Sequence, residues 1–451
     1  MPDRCGAEVG VILLDHQPIQ QWLDPKLQRQ QFIGVLVVRV AWTGGVARRL
    51  RLQFAQLFLR VMTMKRIGFK ERRDWRDKAD EAGFTFHSGE DGERYWFEEA
   101  AYAFTLKQIE EDLEAPVAEL ESMCLAFVDK AVKDEAILKK LAIPEFAWPL
   151  IAESWTRGDR NLYGRFDLAY DGSGPAKLLE YNGDTPTALF ESAVFQWSWL
   201  EESIASGALP NGADQFNSVH DRLVAALGQM RRGEKYHLHL ACDIESDEDQ
   251  GTIAYLAECA KQAGMTARCI AMSDIGIADD GQFLDENDEP IRTLFKLYPW
   301  EWMLQEEFGQ KVGGSQTLFI EPVWKAVLST KGILPFLWEM APEHPNLLKA
   351  YFADDPRVSE LSARHVRKPI LSREGANVTV FDGANTTTTD GPYGQEGYIV
   401  QDYARPFRQG DTQAIIGAWT VASEPAGICI REQESAVINN MARFVPHYIE
   451  P

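Results

Sequence analysis

Two short segments, GRFDLAY at 164–170 and KLLEYN at 177–182, place acidic and amide side chains at alternate positions. In a strand, every second residue shares a face. Arg165, Asp167 and Ala169 fall on one side of the first segment, and Leu178, Glu180 and Asn182 on one side of the second. The DGSGP between them is turn sequence, so the pair reads as a hairpin that brings Asp167, Glu180 and Asn182 together. Two carboxylates and an amide oxygen suit magnesium, a hard cation that takes oxygen ligands and keeps several waters. Arg165 beside them would steady a phosphate or a developing anion. An ordinary sheet face would use the same residues in a solvated ion pair, and spacing alone leaves both readings open.

Cationic features follow later in the chain. In VRKPILSREGANV, residues 366–378, Lys368 ends a strand-like run and a glycine-containing turn follows. Free backbone N–H groups in such a turn can cradle phosphates, with the lysine adding a point charge. The G-x-x-x-x-G-K pattern is absent, and a plain hairpin turn fits equally. Lys331, in STKGILP, lies near a helix end, where a cation is also favoured by the helix dipole. In GYIVQDY, an apolar strand leads into Gln401 and could offer backbone groups to an adenine edge, or simply be buried. In GICIRE, Arg431 could reach a transferred phosphate or pair with Glu432.

These residues need elements to hold them. Residues 104–141 repeat apolar side chains at helical spacing, with a break expected near Pro116. Helical spacing returns at 186–206. Residues 235–271 read as strand, amphipathic helix and strand, which argues for an α/β lobe. A helix is expected from Pro322 toward Leu337. The remainder is β-rich, and TTTTD at 386–390, the one low-complexity patch, reads as a loop.

The 451 residues allow one large enzyme of two or three lobes, and 45% hydrophobic content is enough for a full core. The formal charge of −22 argues against nucleic acid or an anionic membrane as a partner, though not against a local basic pocket. Six scattered cysteines form no C-x-x-C pair and fit a reducing compartment, the cytoplasm. Residues 1–60 carry a net +4 against an acidic remainder, and the run at 32–42 is too short to span a membrane. No signal peptide is indicated. Residues 1–61 are expected to be a poorly packed or mis-called extension.

Taken in order, the chain from about Met64 to its end resembles the glutathionylspermidine synthase family, including shorter bacterial relatives without an amidase domain. The resemblance is carried by ERRDWRDKADEAGFTFH, GRFDLAYDG, LLEYNGDTPTALFE, LFKLYPWEWM, EPVWKAVLSTKGILPFLWE, HPNLL, RKPILSREGANV and AGICIRE. It implies an α/β (α+β) chain with a permuted ATP-grasp fold and a pre-ATP-grasp-like α/β lobe. The family-like region would be 62–451, with the α/β lobe at 235–290. The main ATP-binding lobe would be 322–451, completed by the 160–190 hairpin.

The implied activity is ATP-dependent carboxylate–amine ligation through an acyl phosphate, without amidase activity. ATP and Mg2+ would be the cofactors. Arg165 and Arg431 would be catalytic and would contact ATP together with Lys331, Lys368 and Gln401. Asp167, Glu180 and Asn182 would hold magnesium, and Thr185 and Thr187 would offer hydroxyls to the acid. Lys325 and Lys331 could exchange roles. The partners would be a carboxylic acid, small molecule or peptide, and an amine, with a polyamine as one candidate. A non-catalytic ATP-binding module and a small-acid kinase that stops at the acyl phosphate are the competing readings.

Overall fold

The computed structural model describes residues 64–451 except 90, 91, 232, 234, 235, 384, 436 and 438–441. The expected extension, 1–61, lies outside the described residues. Hydrophobic packing organises the chain around two large clusters. One gathers the helical segment 109–151 with the sheet residues Phe166, Ile416, Ile428 and Ile430. The other gathers Trp75, Trp96 and Trp199 with the apolar side of the parallel sheet. No helix among the described residues is long and apolar enough to cross a membrane.

Two antiparallel sheets frame the region that matters for function. The larger runs in the order Arg443–Val445, Glu424–Gln433, Thr412–Val421, Tyr163–Ala169, Lys177–Asn182, with Phe407–Gln409 also paired to Thr412–Val421. An early hairpin thus completes a sheet whose other strands come about 250 residues later, since Asp167 stands opposite Gly417. The second sheet runs Ala350–Phe352, Tyr398–Asp402, Arg364–Pro369, Thr379–Asp382, Asn385–Thr388. Its last strand covers most of TTTTD, which was expected to be a loop. Threonine is β-branched and fits a pleated surface, and Asn385–Thr388 pairs in register with Thr379–Asp382 at the exposed sheet edge.

The strand, helix and strand read from 235–271 are His237–Cys242, Asp247–Gln262 and Thr266–Ala271. They belong to a four-stranded parallel sheet that also takes in Thr293–Leu297 and Leu318–Ile320. The helix Ala115–Ala131 buries Val117, Leu120, Cys124, Phe127 and Val128 on one stripe. A π-helical turn at Gln108–Glu114 runs straight into this helix, and Pro116 stands at the junction, where its missing N–H interrupts the i→i−4 ladder.

The helix expected over 322–337 is interrupted. Val323–Val327 is a 3-10 turn, and α-helix starts only at Ile333. The cause is competition for hydrogen bonds: the Lys331 N–H donates to Ile370 O at 2.9 Å rather than within a helix. Lys325 is also held, because its Nζ lies 3.2 Å from Glu321 Oε2 and donates to Tyr163 O at 2.7 Å. Both side chains of this pair are fully buried, and Glu321 also accepts the N–H groups of Leu162 and Tyr163.

Removing one partner of a buried ion pair leaves an uncompensated charge, at a cost of about 3–5 kcal/mol. Lys325→Met is expected to lose that much stability in urea unfolding. The double variant Lys325→Met/Glu321→Gln should recover part of it. A single-variant loss below about 1 kcal/mol would contradict the pairing.

Candidate functional site

The hairpin presents its charged residues on one face. Arg165 stands opposite Asn182, and Asp167 opposite Glu180. The reverse face stacks Phe166 on Tyr181, ring centres 3.9 Å apart. Between Asp167 and Leu168 the register slips, so that Leu168 pairs with Leu178. Leu179 is therefore the extra residue of a β-bulge. Leu178, expected beside Glu180, turns to the core instead and is fully buried.

The carbonyls at this bulge are taken by the second sheet. Lys368 Nζ donates to Leu179 O at 2.8 Å, and Gln401 Nε2 donates to Leu178 O at 3.0 Å. Lys368 also donates to Gln401 Oε1 at 2.9 Å. Gln401 thus lines the cleft but spends its amide on joining the sheets.

Asp167, Glu180, Lys368, Gln401 and Arg431 line a single cleft between the two sheets. They come from three distant stretches of chain. An apolar wall of Val366, Val378, Val380, Tyr403 and Pro406 completes it. Asp167 is gripped from several sides: Arg165 Nε lies 2.7 Å from Oδ1, Arg431 Nη2 lies 2.9 Å from Oδ2, and Asn182 Nδ2 lies 3.3 Å from Oδ2. Arg431 Nε is buried with no hydrogen-bond partner in the structure.

Lys331 Nζ lies 3.1 Å from Glu180 Oε2 and donates to Ser372 O at 2.6 Å. Burial by itself would raise the Glu180 carboxyl, but Lys331 and Lys368 outweigh it and hold it at about 2. Burial pushes Lys368 down to about 8 against the pull of Glu180. Of the two candidate lysines, Lys331 is therefore the one beside the cleft, while Lys325 is consumed by Glu321 and Tyr163.

Thr185 and Thr187 are not part of the cleft lining but lie on the segment that continues from Asn182. Thr185 Oγ1 accepts from Arg373 Nη2 at 2.5 Å, and Arg373 Nη1 pairs with Glu301 Oε1 at 3.2 Å. The Thr187 carbonyl accepts from Arg165 Nη1 at 2.7 Å, and its side chain acts to lower the pKa of the Glu248 carboxyl, which burial raises. Burial and repulsion from Glu248 push Glu191 up to about 8 and Asp249 up to about 7. Arg373, Glu301 and this group of carboxyls escaped the sequence reading. For Arg373 and Glu301 a signal existed, a charge inside each of the motifs KPILSREGANV and LFKLYPWEWM. Glu248 had none, because ESDED reads as the start of a helix capped by Ser246.

Among the described residues no three His, Cys, Asp or Glu side chains are grouped to hold a metal. Asp167, Glu180 and Asn182 offer two carboxylates and an amide, a partial oxygen set. Such a set fits magnesium, which takes only one or two carboxylates from a protein and fills its shell with phosphate and water.

This mixed α/β fold has a glutathione synthetase-like neighbour among solved structures. A glutathione synthetase-like effector from Globodera pallida superposes with a TM-score of 0.50 at 11% identity, over 84% of this chain and 98% of that one. The glutathionylspermidine synthase preATP-grasp family model matches residues 66–450. The chain belongs to the glutathionylspermidine synthase family, a family of ATP-dependent ligases. A Haemophilus influenzae protein provisionally named an acid–amine ligase is 39% identical over 403 residues, which is 86% of this chain and all of that one. A trypanothione synthetase from Crithidia fasciculata is 28% identical over 68% of this chain. The bifunctional glutathionylspermidine synthetase/amidase of Escherichia coli is 25% identical over 76% of it. The chain spans 50% and 58% of the length of these last two.

Arg165 lies against the neighbouring strand because residue 417 is glycine. A Cβ there would stand 2.7 Å from Arg165 Cδ and 2.6 Å from Cys429 Sγ. Gly417→Ala should cost about 1–3 kcal/mol, as overpacking does in a filled interior. Urea unfolding measures it. In a Cys429→Ala background the cost should shrink without vanishing, because the arginine contact persists. Full recovery in that background would mean that Arg165 does not need the space.

Proposed function

We propose that the chain is an ATP-dependent carboxylate–amine ligase built on a permuted ATP-grasp clasp, with the early hairpin supplying the part that precedes the nucleotide-binding strands. The observation that carries the proposal is the charge balance of the cleft. Arg165, Lys331, Lys368 and Arg431 gather around Asp167 and Glu180, and Asp402 is the third carboxylate of the lining, so four cations face three anions. That excess, beside an apolar wall, suits a triphosphate with a flat base.

Val366, Val378, Val380 and Tyr403 would receive the adenine, with Gln401 fixing the strand behind it. Lys331 and Lys368 would hold the phosphates. Asp167, Glu180 and Asn182 would hold Mg2+, which supplies charge neutralisation for the phosphate oxygens when bound. The substrate carboxylate oxygen attacks the γ-phosphorus, the bond to the bridging oxygen breaks, and ADP leaves. The amine nitrogen then attacks the acyl carbon, the C–O bond to phosphate breaks, and inorganic phosphate and a proton are released. Carboxylate oxygen is a poor leaving group, so phosphorylation is what makes the second step possible.

Arg165 and Arg431 flank the reacting group and stabilise charge as it grows on the phosphoryl and acyl oxygens. Arg431 already donates to Asp167 and has an unused Nε. Thr185 and Thr187 would offer hydroxyls to the acid, with Arg373 fixing the first of them. The proposal assigns the synthetase reaction only. All five described cysteines are free, which suits the reducing cytoplasm.

ADP release should require both an acid and an amine, and amide product should be detectable by mass spectrometry. ADP release with the acid alone favours the kinase reading, and tight ATP binding without any turnover favours the binding module. Arg431→Ala should lower kcat by roughly 10²- to 10³-fold, the usual loss for one stabilising donor, while ATP affinity changes little. Unchanged kcat in that variant would refute the role.

Lys368 gives a second test. Its ammonium is depressed to about 8 in the free protein, and a triphosphate beside it favours the charged form. ATP binding at about pH 8.5 should take up a fraction of a proton, read by calorimetry as a binding heat that differs between Tris and phosphate. The uptake should vanish near about pH 6.5, where the lysine is already charged, and in Lys368→Met.

A further inference from the structure

Residues 183–188 form neither helix nor strand, yet all but Thr187 are buried. Irregular backbone in an interior has no ladder to hold it and must be fastened by side chains. Gly183 brings one end close against the core, since a Cβ there would stand 2.9 Å from Leu328 Cβ and 3.3 Å from its carbonyl oxygen. The next residue, Asp184, is the fastening. Its Oδ1 lies 2.8 Å from Lys296 Nζ, and its Oδ2 accepts the Trp300 N–H at 2.8 Å.

Lys296 belongs to Thr293–Leu297, a middle strand of the parallel sheet. That sheet runs in the spatial order Leu318–Ile320, Thr293–Leu297, His237–Cys242, Thr266–Ala271, so the chain order reverses between its two middle strands. A crevice opens outside the carboxyl ends of strands at such a switch point. Here a second cavity, of about 410 Å3, is lined there by Met272, Phe283, Leu294 and Met303 among others. Lys296 is not part of that lining. Its ammonium is engaged inside the protein: it donates to Asp184 and to the Tyr298 carbonyl, the latter at 2.9 Å, and lies 4.3 Å from the centre of the Trp300 ring. Among the described residues it is the one cation paired with Asp184, and both side chains are buried.

The contacts around Asp184 close a ring. The chain passes from Asp184 to Thr185, whose carbonyl and hydroxyl accept from Arg373 Nη2. Arg373 Nη1 pairs with Glu301 Oε1 at 3.2 Å. Glu301 follows Trp300, whose N–H returns to Asp184. The Thr185 hydroxyl is thereby fixed from two directions. Two residues on, the Thr187 carbonyl accepts from Arg165 Nη1. Removing the Lys296 ammonium would leave a buried carboxylate without its counter-charge, which draws Asp184 toward water and Thr185 with it. We propose that Lys296 is a positioning residue for the acid substrate: through Asp184 it holds Thr185 and Thr187 in register with Arg165. What the threonines receive rests on the ligase reading, but the fastening can be tested without turnover.

The test compares the full chain with Lys296→Met and with Asp184→Asn/Lys296→Met. The double variant removes both charges but keeps an oxygen for the Trp300 N–H, so it decides the matter if the single variant does not fold. Hydrogen–deuterium exchange without ligand should quicken at 183–188 in both variants and stay unchanged in the hairpin, 163–182. ATP affinity by calorimetry should hold. With the acid and amine that ADP release selects from a panel of amino acids, peptides and polyamines, kcat/KM for the acid should fall roughly 10- to 10²-fold, as misplacement by about 1 Å does, while KM for ATP holds. Unchanged exchange at 183–188 in a folded variant, or equal losses for acid and ATP, would overturn the assignment. If exchange quickens but the parent chain turns over no pair, the ligase reading falls and the fastening stands. If the parent chain forms amide and the folded double variant matches it, the role of Lys296 falls and the ligase reading stands.

Discussion

One extra residue in one strand governs the geometry of the cleft. Lys177–Asn182 is the edge strand of its sheet, so every second carbonyl points outward, and the bulge at Leu179 turns two successive ones to that edge. The bulge leaves that residue unpaired, and Lys368 and Gln401 of the other sheet take the carbonyls of Leu179 and Leu178. Two polar side chains, almost wholly buried, thereby fix how closely the two sheets approach. The same slip keeps Asp167 and Glu180 on the cleft face while Leu178 goes to the core. A regular hairpin would supply the acids but turn only one of these two carbonyls toward the other sheet.

The charges in the cleft satisfy one another only in part, and this bears on what it can bind. Asp167 is shared by Arg165 and Arg431, and Glu180 is held low by Lys331 and Lys368. Four cations crowd Asp167 and Glu180, with Asp402 a third carboxylate of the lining, and burial depresses Lys368. Like charges held together in a partly desolvated space are tolerated where the fold fixes their positions and a counter-charge arrives with the ligand. The fully buried pairs, Lys325 with Glu321 and Lys296 with Asp184, differ in kind. Each cation there has its anion within 3.2 Å and further backbone partners, so these pairs hold segments in place and have nothing left over for a ligand.

How far this was legible from the sequence depended on whether local pattern or distant competition decided each residue. Alternation placed Arg165, Asp167, Glu180 and Asn182 on one face, because the pleat allows nothing else. It failed at Leu178, because a bulge is set by what the freed carbonyls meet across the cleft, and Lys368 is 189 residues away. Threonine's β-branching outweighed the low-complexity look of 386–390 once a partner strand was at hand. The helix expected from Pro322 was overridden when Ile370 took the Lys331 N–H. Spacing could not choose between Lys325 and Lys331. The choice turned on Glu321, whose carboxylate accepts two backbone N–H groups of the hairpin as well as the Lys325 ammonium.

The two cavities also relate to the two kinds of sheet in the chain. An antiparallel pair of sheets can present charged side chains to one another across a gap, because alternation leaves a polar face available on each. A parallel sheet is buried on both faces, so its free chemistry is confined to the ends of its strands, where the switch point opens a crevice. A charge-rich cleft and a largely apolar cavity thereby fall beside different kinds of sheet. The segment from Asn182 to Thr187 is what brings them into register. Asp184 within it is tied to Lys296 at 2.8 Å and to the Trp300 N–H at 2.8 Å, at the carboxyl end of a parallel strand, while Asn182 and the Thr187 carbonyl face Asp167 and Arg165. A six-residue stretch anchored at one end to the charged hairpin and in its middle to the parallel sheet leaves little freedom for one site to drift relative to the other.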